Sequence, residues 1–496
     1  MTAQIGTKED PYDILIIGAG PHALTLVVRL LTPHPASLYT DKEQERFVRS
    51  SKLKSAIRKE RICVVDEHGA WMTRWRMLFD EYGIDWMRSL VDVHPDASDK
   101  GSLRDFAMAN NRLDEIKEID DFVEKNKHRA SGFNHAQHTS FQIPSSSLFI
   151  DFCAHLVEQL DLKNVVRQAR VTRITPVPSG EFELILTNRG GSVIPLYAKR
   201  VVCAIGNVGI PNVPRWVQEC QACGRRRYPR DALMHSSELA TGGYLRQCRP
   251  TQKGRRVMIV GGGLTAGHLV KRGACQFDEV IVVTRQHLRV KQFDVSLQWV
   301  DRHSASYLCR FWQESDPKGR LKMIQTARQG GSINGWMKED LSAMQSSGTL
   351  RIRERVQILT ATWIDNSTEL GQHWHVELDD GSMECVNRIW MATGSKMDAE
   401  HDKLLSQLHR AIPVGCTEGL PMLTTDLKWH PQHAIYVMGG YAALQVGPNA
   451  LNLAGAKIAA DRIVESIRDE EEESSECQVC VGLEECQNRY DAIALE

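Results

Sequence analysis

The sequence predicts a three-layer α/β fold made of two Rossmann-like units, with one unit inserted into the other. An apolar strand, a glycine turn and a helical pattern follow one another in Tyr12–Val28 and again in Val257–Val270. Each of these segments is followed much later by an apolar strand that ends in a glycine, Gly206 and Gly394 respectively. Short, continuous apolar runs such as Val280–Arg285 are typical of strands buried on both faces of a parallel sheet.

Length and composition limit the function classes. A chain of 496 residues predicts two or three domains, and 42% hydrophobic with 25% charged residues is typical of a soluble globular protein. Because 61 Lys and Arg nearly balance 62 Asp and Glu, no overall charge favours nucleic acid or an anionic membrane. We find no secretion signal and no apolar run of the ~20 residues that span a bilayer. The 13 scattered cysteines indicate a reducing compartment and predict a cytoplasmic protein.

The first glycine turn, GAGPHA, has the features of a dinucleotide cradle. Gly18 and Gly20 permit a tight turn and a close approach of backbone amides to a pyrophosphate, and Ala23 lets the helix pack closely on the strand. Pro21 suits the first helical position, and the helix N-terminus then faces the phosphate charge. His22 either contacts the phosphate or flavin or is a solvated residue of the first turn.

The strand predicted to follow this helix ends in acidic residues. Asp66 or Glu67 is expected to accept hydrogen bonds from a ribose, which indicates an unphosphorylated ribose such as that of FAD. The distance from the glycines exceeds the usual ~20 residues because a polar outgrowth, Thr32–Arg61, intervenes. The alternative is a glycine turn that packs on the sheet without a ligand.

The second glycine turn repeats the pattern with a different strand end. Gly261, Gly263 and Ala266 stand at the corresponding positions, and the following strand ends in Thr284 and Arg285 instead of acidic residues. An acidic side chain would repel a 2′-phosphate, whereas an arginine binds it. The second cradle is therefore predicted to bind NADPH.

Two cradles with different strand ends predict two dinucleotides, with FAD resident and NADPH as the hydride donor. The segment Ala434–Ile467 supports the FAD site, because a strand runs into Gly440 and Pro448 is expected to open an alanine-rich helix whose N-terminus holds the flavin. The FAD domain is then discontinuous. The predicted boundaries are 10–214 for its first part, 215–384 for the NADPH domain, 385–468 for its second part, and 469–496 for an acidic, cysteine-containing tail.

Four segments resemble one enzyme family over most of residues 10–467. They read GAGPHAL, WMTRWRMLFDEYGIDWMRSLVDVHPD, IPSSSLFIDFCAHL and GPNALNLAGA. The chain resembles the flavin-dependent N-hydroxylating monooxygenases, the group of lysine N6-hydroxylases and ornithine N5-hydroxylases within the class B flavoprotein monooxygenases. The resemblance implies reduction of FAD by NADPH, then transfer of one oxygen atom of O2 from a flavin hydroperoxide to a nucleophilic N or S of a small, amino-acid-like substrate.

The resemblance also implies partners and site residues. Arg88 stands where the family has a Lys that helps to hold the substrate, and Asn334 falls in a region that contacts nicotinamide and substrate in relatives. The substrate and O2 are the implied partners, and relatives are often homo-oligomers. No metal is predicted. The residues expected to contact FAD or NADPH are Gly18, Gly20, Pro21, His22, Ala23, Asp66, Glu67, Trp75, Val171, Gly206, Gly261, Gly263, Leu264, Thr265, Ala266, Arg285, Gly394, Gly440, Pro448 and Leu451.

Three alternatives are open. A disulfide reductase would share both cradles and would use one of the CxxC pairs, Cys220–Cys223 or Cys477–Cys480. Zinc bound by Cys220, Cys223, His235 and Cys248 is disfavoured by their loose spacing. A nucleotide-binding protein of the oxidative-stress growth-inhibitor type would keep the fold without turnover.

Overall fold

The computed structural model describes residues 5–32, 57–119, 141–206, 209–221, 228–241, 243–246, 254–300, 304–365 and 371–476. Most of the predicted outgrowth and the tail from residue 477 onward lie outside these ranges. The side chains of Cys220, Cys223 and Cys248 also lie outside the described part, so both CxxC alternatives stay predictions.

The strands are short, and most are buried. In chain order they are β1 (Ile14–Ile17), β2 (Ile62–Asp66), β3 (Ile116–Ile119), β4 (Phe141–Pro144), β5 (Val166–Gln168), β6 (Arg170–Pro176), β7 (Phe182–Thr187), β8 (Val193–Ala198), β9 (Val201–Cys203), β10 (Ile210–Pro211), β11 (Leu233–His235), β12 (Arg256–Val260), β13 (Glu279–Thr284), β14 (Leu350–Glu354), β15 (Ile358–Ile364), β16 (His373–Leu378), β17 (Met383–Val386), β18 (Arg388–Met391), β19 (Ser395–Lys396), β20 (Cys416–Thr417), β21 (Leu420–Pro421), β22 (Lys428–His430) and β23 (His433–Val437).

The helices carry the apolar faces that cover the sheets. In chain order they are α1 (Pro21–Leu31), α2 (Thr73–Tyr82), α3 (Ser102–Ala109), α4 (Ser146–Gln159), α5 (Arg215–Gln221), α6 (Ser236–Leu239), α7 (Leu264–Ala274), α8 (Ser304–Gln313), α9 (Pro317–Arg328), α10 (Gly335–Ser346), α11 (Leu405–Ala411), α12 (Ala443–Val446) and α13 (Leu453–Glu476). Among these described helices, none combines the length and the apolar composition that crossing a lipid bilayer requires.

The first sheet joins strands from both ends of the chain. Its order is β22-β23-β9-β1-β2-β5, and β1 pairs in parallel with β2 and β9. Because β23 also pairs in parallel with β9, the C-terminal segment completes the sheet that begins near the N-terminus. The discontinuity predicted for the first unit is thus visible in the strand order.

The second sheet has the order β11-β18-β12-β13-β14, with parallel pairing throughout. This order corrects one predicted boundary. Residues from 385 onward were assigned to the second part of the FAD domain, but β18 pairs with β12 and β11 and therefore belongs to the second unit. The boundary has to follow β18, because a strand buried between two neighbours of one sheet cannot belong to another layer.

The antiparallel three-stranded sheets β6-β7-β8 and β15-β16-β17 each add a layer to one parallel sheet. Trp374 of β16 shows how the second of them packs. It is buried, donates a hydrogen bond from Nε1 to the carbonyl of Ala232 and belongs to the same apolar cluster as Met258 of the central strand β12. Helices cover the opposite faces, as in the contact of α1 with α13. The predicted three-layer α/β class is confirmed.

Candidate active site

The two cradles begin with the same backbone contact. Gly18 has φ of +103°, and a Cβ on it would lie 2.5 Å from the carbonyl oxygen of Ala204, which follows β9. Gly261 has φ of +142°, and a Cβ on it would lie 2.4 Å from the carbonyl oxygen of Ala392, which follows β18. Each first glycine is therefore required by the turn itself, because a side chain would strike the neighbouring strand end.

The second glycine of the first cradle, Gly20, is not required by the turn itself. Gly20 is the N-cap of α1 with φ of −85°, a conformation open to any residue, and a Cβ on it would meet no protein atom within 4 Å. Pro21 occupies the first helical turn as predicted, and the buried Ala23 packs in the core. The space beside Gly20 is thus suited to a phosphate group at the helix N-terminus.

The acidic strand end is oriented by the backbone. Asp66 accepts a hydrogen bond of 3.1 Å from the amide of Ala19 and one of 2.8 Å from the amide of His68. Glu67 forms an ion pair with Arg170 at 2.7 Å, with both side chains more than half exposed. Asp66 therefore holds the glycine turn against β2, and Glu67 lies on the surface at the same sheet edge.

His22 joins the first cradle to the C-terminal segment. It is 8% exposed, its Nδ1 has no hydrogen-bond partner within the described residues, and its ring lies near Gly439. Burial lowers the pKa of His22 to about 4, against a weaker opposing effect of a hydrogen bond with the backbone of Leu451. The predicted alternative of a solvated residue is wrong, and the buried, unpartnered nitrogen fits a contact with a bound group.

Three further residues assigned to FAD lie around the first sheet. Gly206 follows β9, has φ of +72° and would place a Cβ in open space. Trp75 stacks on Phe79 with ring centroids 3.5 Å apart, so it belongs to an aromatic cluster on α2. Val171 is buried on β6. A direct contact of any of the three with FAD stays a prediction.

The C-terminal helix begins later than predicted. Pro448 was expected to open it, but Pro448 lies in a turn and α13 starts at Leu453. Gly447 ends the preceding helix with φ of +96°, and the side chain of Asn452 accepts a hydrogen bond from the amide of Gly455. Asn452 is therefore the N-cap, because its side chain satisfies an amide that the helix leaves unpaired.

Gly440 and Leu451 meet at the border of the two units. A Cβ on Gly440 would lie 2.2 Å from the side chain of Met397 and 2.7 Å from that of Leu451. Leu451 lines the large cleft described below, whereas Gly440 is buried beneath it. The glycine is thus required for close packing between the C-terminal segment and the connection that follows β18.

The second cradle faces an additional loop. Gly263 is the N-cap of α7, and a Cβ on it would approach Gly331 at 3.4 Å. Leu264 and Thr265 form the first turn of α7 and line the cleft, and Ala266 is buried beneath them. Gly330 and Gly331, which precede Ser332, therefore form the second wall of this cradle.

A cleft of about 1810 Å³ runs along the second cradle. Arg285 is exposed and lines it at the end of β13, where the sequence places it to meet a 2′-phosphate. Gly394 lines it from the end of β18, where its carbonyl accepts hydrogen bonds from the amide of Asn212 and is 3.1 Å from Nε2 of His235. His235 therefore contacts the connection between the two units through the carbonyl of Gly394.

Arg88 is held by backbone carbonyls of the second unit. Its guanidinium donates to the carbonyls of Lys291 at 2.8 Å, Gln292 at 2.9 Å and Phe293 at 3.2 Å. It also forms an ion pair of 3.1 Å with Asp294. Burial lowers the pKa of the guanidinium from its ordinary value, and Asp294 opposes this effect.

The same guanidinium reaches the loop that carries Asn334. Arg88 donates a hydrogen bond of 2.9 Å to the hydroxyl of Ser332, which is buried. Asn334 is also buried and is the N-cap of α10, where its side chain accepts a hydrogen bond of 3.0 Å from the amide of Met337. The structure therefore brings the two predicted catalytic residues to one loop, with Ser332 between them.

Several residues of this region were not identified from the sequence. Asp294, Arg328, Gly331 and Met397 line the cleft, and only the adjacent glycines at 330 and 331 carried a local signal of a tight backbone approach. Asp294 and Arg328 form an ion pair at 3.7 Å. Isolated charged residues of this kind are too common in sequences to indicate a site.

Comparison with known proteins identifies the family. The model of the L-lysine 6-monooxygenase/L-ornithine 5-monooxygenase family matches residues 123–396, more than half of the chain. The chain belongs to this family. It is accordingly a monooxygenase, as the sequence predicted, and the reductase and regulatory alternatives are not favoured. No curated protein sequence matches the chain.

Solved structures of this family share the fold over nearly the whole chain. The ornithine hydroxylase of Pseudomonas aeruginosa is 16% identical with a TM-score of 0.61, covering 93% of this chain and 99% of its own. The Kutzneria sp. 744 ornithine N-hydroxylase, solved with reduced FAD, NADP+ and L-ornithine, is 17% identical with a TM-score of 0.64, covering 93% and 100%. The FAD-bound cadaverine monooxygenase of Erwinia amylovora is 14% identical with a TM-score of 0.63, covering 92% and 95%.

Acid is expected to destabilise the first cradle through His22. Its pKa falls from 6.5 in the unfolded chain to about 4 in the fold, so its contribution to stability is complete above pH 6.5 and is lost as the pH falls towards about 4. The free energy of unfolding in urea should fall between pH 7 and pH 5 in both proteins. This fall should be about 2 kcal/mol smaller for His22→Asn than for the unchanged chain. Equal losses in the two proteins would contradict the buried neutral state of His22.

Proposed function

We propose that the chain is an FAD- and NADPH-dependent monooxygenase that hydroxylates the nitrogen of a small, amine-bearing substrate. The observation that carries this proposal is the pair of glycine cradles with opposite strand ends, Asp66 beside the first and Arg285 beside the second. Membership of the lysine and ornithine monooxygenase family supports the reaction type. The Kutzneria sp. 744 ornithine N-hydroxylase, with a TM-score of 0.64 and both reduced FAD and NADP+ bound, supports the arrangement of two dinucleotides on this fold.

The residues of the first cradle fit FAD. The open space beside Gly20 and Gly206, the N-terminus of α1 and the unpartnered Nδ1 of His22 together form a site suited to a pyrophosphate and the groups attached to it. We assign FAD to this cradle, with Leu451 and the turn at Pro448 as further residues that would contact it. Bound there, FAD would accept hydride from NADPH and activate O2 for transfer of one oxygen atom.

The residues of the second cradle fit NADPH. The amides at the N-terminus of α7 would hold the pyrophosphate, and Arg285, which lines the cleft at the end of β13, would bind the 2′-phosphate. The loop from Gly330 to Asn334 forms the opposite wall and is fixed by Arg88. Arg88 therefore acts as a positioning residue that holds the two units together at this point. The apolar side chains of Met397 and Leu451 line the cleft and would exclude water from the reacting groups once both cofactors are bound.

The substrate is assigned by class only. L-ornithine and cadaverine are substrates named for relatives of the same fold, and both carry a primary amine on an alkyl chain. Because the donors of Arg88 are directed to carbonyls and Asp294, this residue does not provide a dedicated site for a substrate carboxylate. We therefore propose an alkyl primary amine, with or without an amino-acid end, as the group that is oxidised.

The test is a coupled assay of the purified protein. NADPH oxidation, O2 uptake and hydroxylamine formation should rise together with L-ornithine, L-lysine or cadaverine as the probe. An equal amount of a thiol and of a disulfide, tested in parallel, distinguishes the alternatives. NADPH oxidation that requires the disulfide and proceeds without O2 would identify a reductase, and no oxidation with any probe would contradict the proposed reaction.

Arg285 is expected to determine the preference for NADPH over NADH. Arg285→Gln should lower kcat/KM for NADPH about 10- to 100-fold, because a charge-assisted contact contributes roughly 1.5–3 kcal/mol. The kcat/KM for NADH should change little, because NADH has no 2′-phosphate. Arg289→Gln is the matched control, since Arg289 lines the same cleft but donates to the carbonyl of Gln329 at 2.7 Å. Equal losses in both variants would mean that the general charge of the cleft, and not Arg285, selects the cofactor.

Two sequence-based expectations stay predictions. The cytoplasmic location agrees with the described cysteines, which are free thiols. The homo-oligomer implied by the resemblance is also retained, and sedimentation of the purified protein would test it.

A further inference from the structure

Three metal-ligating side chains meet on the small antiparallel sheet of the second unit. His373 and His375 lie on β16, and Cys385 lies on β17. One donor atom of each lies within 4.8 Å of the donor atoms of the other two. These residues lie outside the set that lines the cleft.

The strand register explains why the three side chains meet. His373 and His375 are two residues apart, so both point to the same face of the sheet. Cys385 is the direct cross-strand partner of His375, which brings their Cβ atoms to about 4.5–5.5 Å. The residue between the two histidines, Trp374, points to the other face and is buried in the core. The packing of Trp374 therefore fixes the register that aligns the three ligands.

The first histidine is already oriented in the manner of a metal ligand. Nδ1 of His373 lies 2.7 Å from the carbonyl oxygen of Gly371, so that nitrogen carries the proton and Nε2 keeps its lone pair. Metal-bound histidines commonly donate their other ring N–H to such a carbonyl, which sets the tautomer and the ring orientation. His373 is 3% exposed, and this hydrogen bond holds it in place.

The other two ligands can complete the site without backbone movement. His375 is exposed and Cys385 is half-buried, so both side chains are accessible to a metal ion from solvent. Tetrahedral zinc with nitrogen ligands at about 2.0–2.1 Å and sulfur at about 2.3 Å requires donor separations of roughly 3.3–3.6 Å. The donor atoms lie within 4.8 Å of one another, and we expect rotation of the exposed imidazole of His375 to bring them to these separations.

We propose that His373, His375 and Cys385 form a binding site for Zn2+, with a water molecule as the fourth ligand. The two imidazoles and the thiolate are the donors that zinc prefers, and the ligand set contains no carboxylate that would favour Ca2+ or Mg2+. The ion links β16 to β17 and so stabilises the sheet that packs beneath the NADPH-binding strands. This site is independent of the proposed hydroxylation reaction.

The test uses the full chain without an affinity tag. Cys220, Cys223, Cys248, Cys477 and Cys480 are replaced by Ser in the background protein, so that the CxxC cysteines cannot bind the metal. Co2+ is titrated into this protein as a spectroscopic substitute for Zn2+, with FAD absorption removed by difference spectra. We expect one equivalent bound, with a thiolate-to-cobalt charge-transfer band that Zn2+ abolishes.

Variants of Cys385 and His375 test whether the band arises at this site. Cys385→Ser should eliminate it, and His375→Ala should weaken Co2+ binding at least tenfold. Because His375 is exposed, its variant should fold normally, and circular dichroism checks this. Cys275→Ser is the matched control, since Cys275 is an exposed thiol on a helix end of the same unit. The proposal is overturned if no thiolate band forms, if the band persists in Cys385→Ser, or if His375→Ala binds Co2+ as tightly as the background protein.

Discussion

Gly20→Ala is expected to weaken FAD binding about 100-fold while leaving the fold intact. A Cβ at this position meets no protein atom within 4 Å, and the backbone conformation is open to alanine. The substitution should therefore not destabilise the protein without FAD. The added methyl group would occupy the space assigned to the pyrophosphate, and a loss of about 2.7 kcal/mol corresponds to that change in affinity. Flavin fluorescence titration of the apoprotein measures it, and urea unfolding of the apoprotein measures the fold.

Two variants make this result specific. Gly18→Ala should destabilise even the apoprotein, because its Cβ would lie 2.5 Å from the carbonyl oxygen of Ala204 and its φ of +103° is strained for alanine. Gly190→Ala lies on a surface turn and should change neither FAD affinity nor stability. Normal FAD affinity in Gly20→Ala would mean that the flavin binds elsewhere.

Arg88→Ala is expected to lower the free energy of unfolding by about 3 kcal/mol and to raise the KM for NADPH. The substitution leaves three backbone carbonyls without their charged donor at the border of the two units, and it removes the shorter of the two ion pairs of Asp294, whose other partner is Arg328. It also releases Ser332 and the loop that faces the second cradle. Urea unfolding and initial rates at varied NADPH and amine concentrations measure the two effects.

The conservative variant separates positioning from substrate binding. Lysine has a single ammonium group and cannot reproduce the planar set of donors, so Arg88→Lys should recover little of the stability. If Arg88 instead held the substrate, both variants would raise the KM for the amine alone, with normal stability and a normal KM for NADPH. That outcome would contradict the role in positioning.

The features that the sequence predicted correctly are local in the chain. A strand, a glycine turn and a helix occupy about fifteen consecutive residues, so Gly18, Gly20, Gly261 and Gly263 could be assigned from their spacing. The contrast between Asp66 and Arg285 was read from the last residues of the strand that follows each cradle, although the outgrowth Thr32–Arg61 separates Asp66 from the first cradle. Both cradles were found because their physical requirements fall within one short segment each.

The contacts of Arg88 and the sheet to which β18 belongs could not be predicted because they depend on distant partners, whereas the start of α13 depends on a local cap. Arg88 contacts residues about two hundred positions later in the chain, and no local sequence pattern indicates which backbone carbonyls will accept its hydrogen bonds. Pro448 was favoured as a helix start by its fixed φ, but the side chain of Asn452 provides a cap and sets the start later. The boundary at 385 was wrong because strand pairing, and not composition, decides to which sheet β18 belongs.

The two connections between the units are themselves joined. The chain crosses to the second unit through β10 and returns through β19, and these two segments pair antiparallel, with Thr393 and Asn212 adding further hydrogen bonds. A single connecting segment could rotate about its own bonds, whereas rotation of two paired segments would break the hydrogen bonds between them. We therefore expect the paired connection to limit rotation of one unit against the other and so to keep the two cradles aligned.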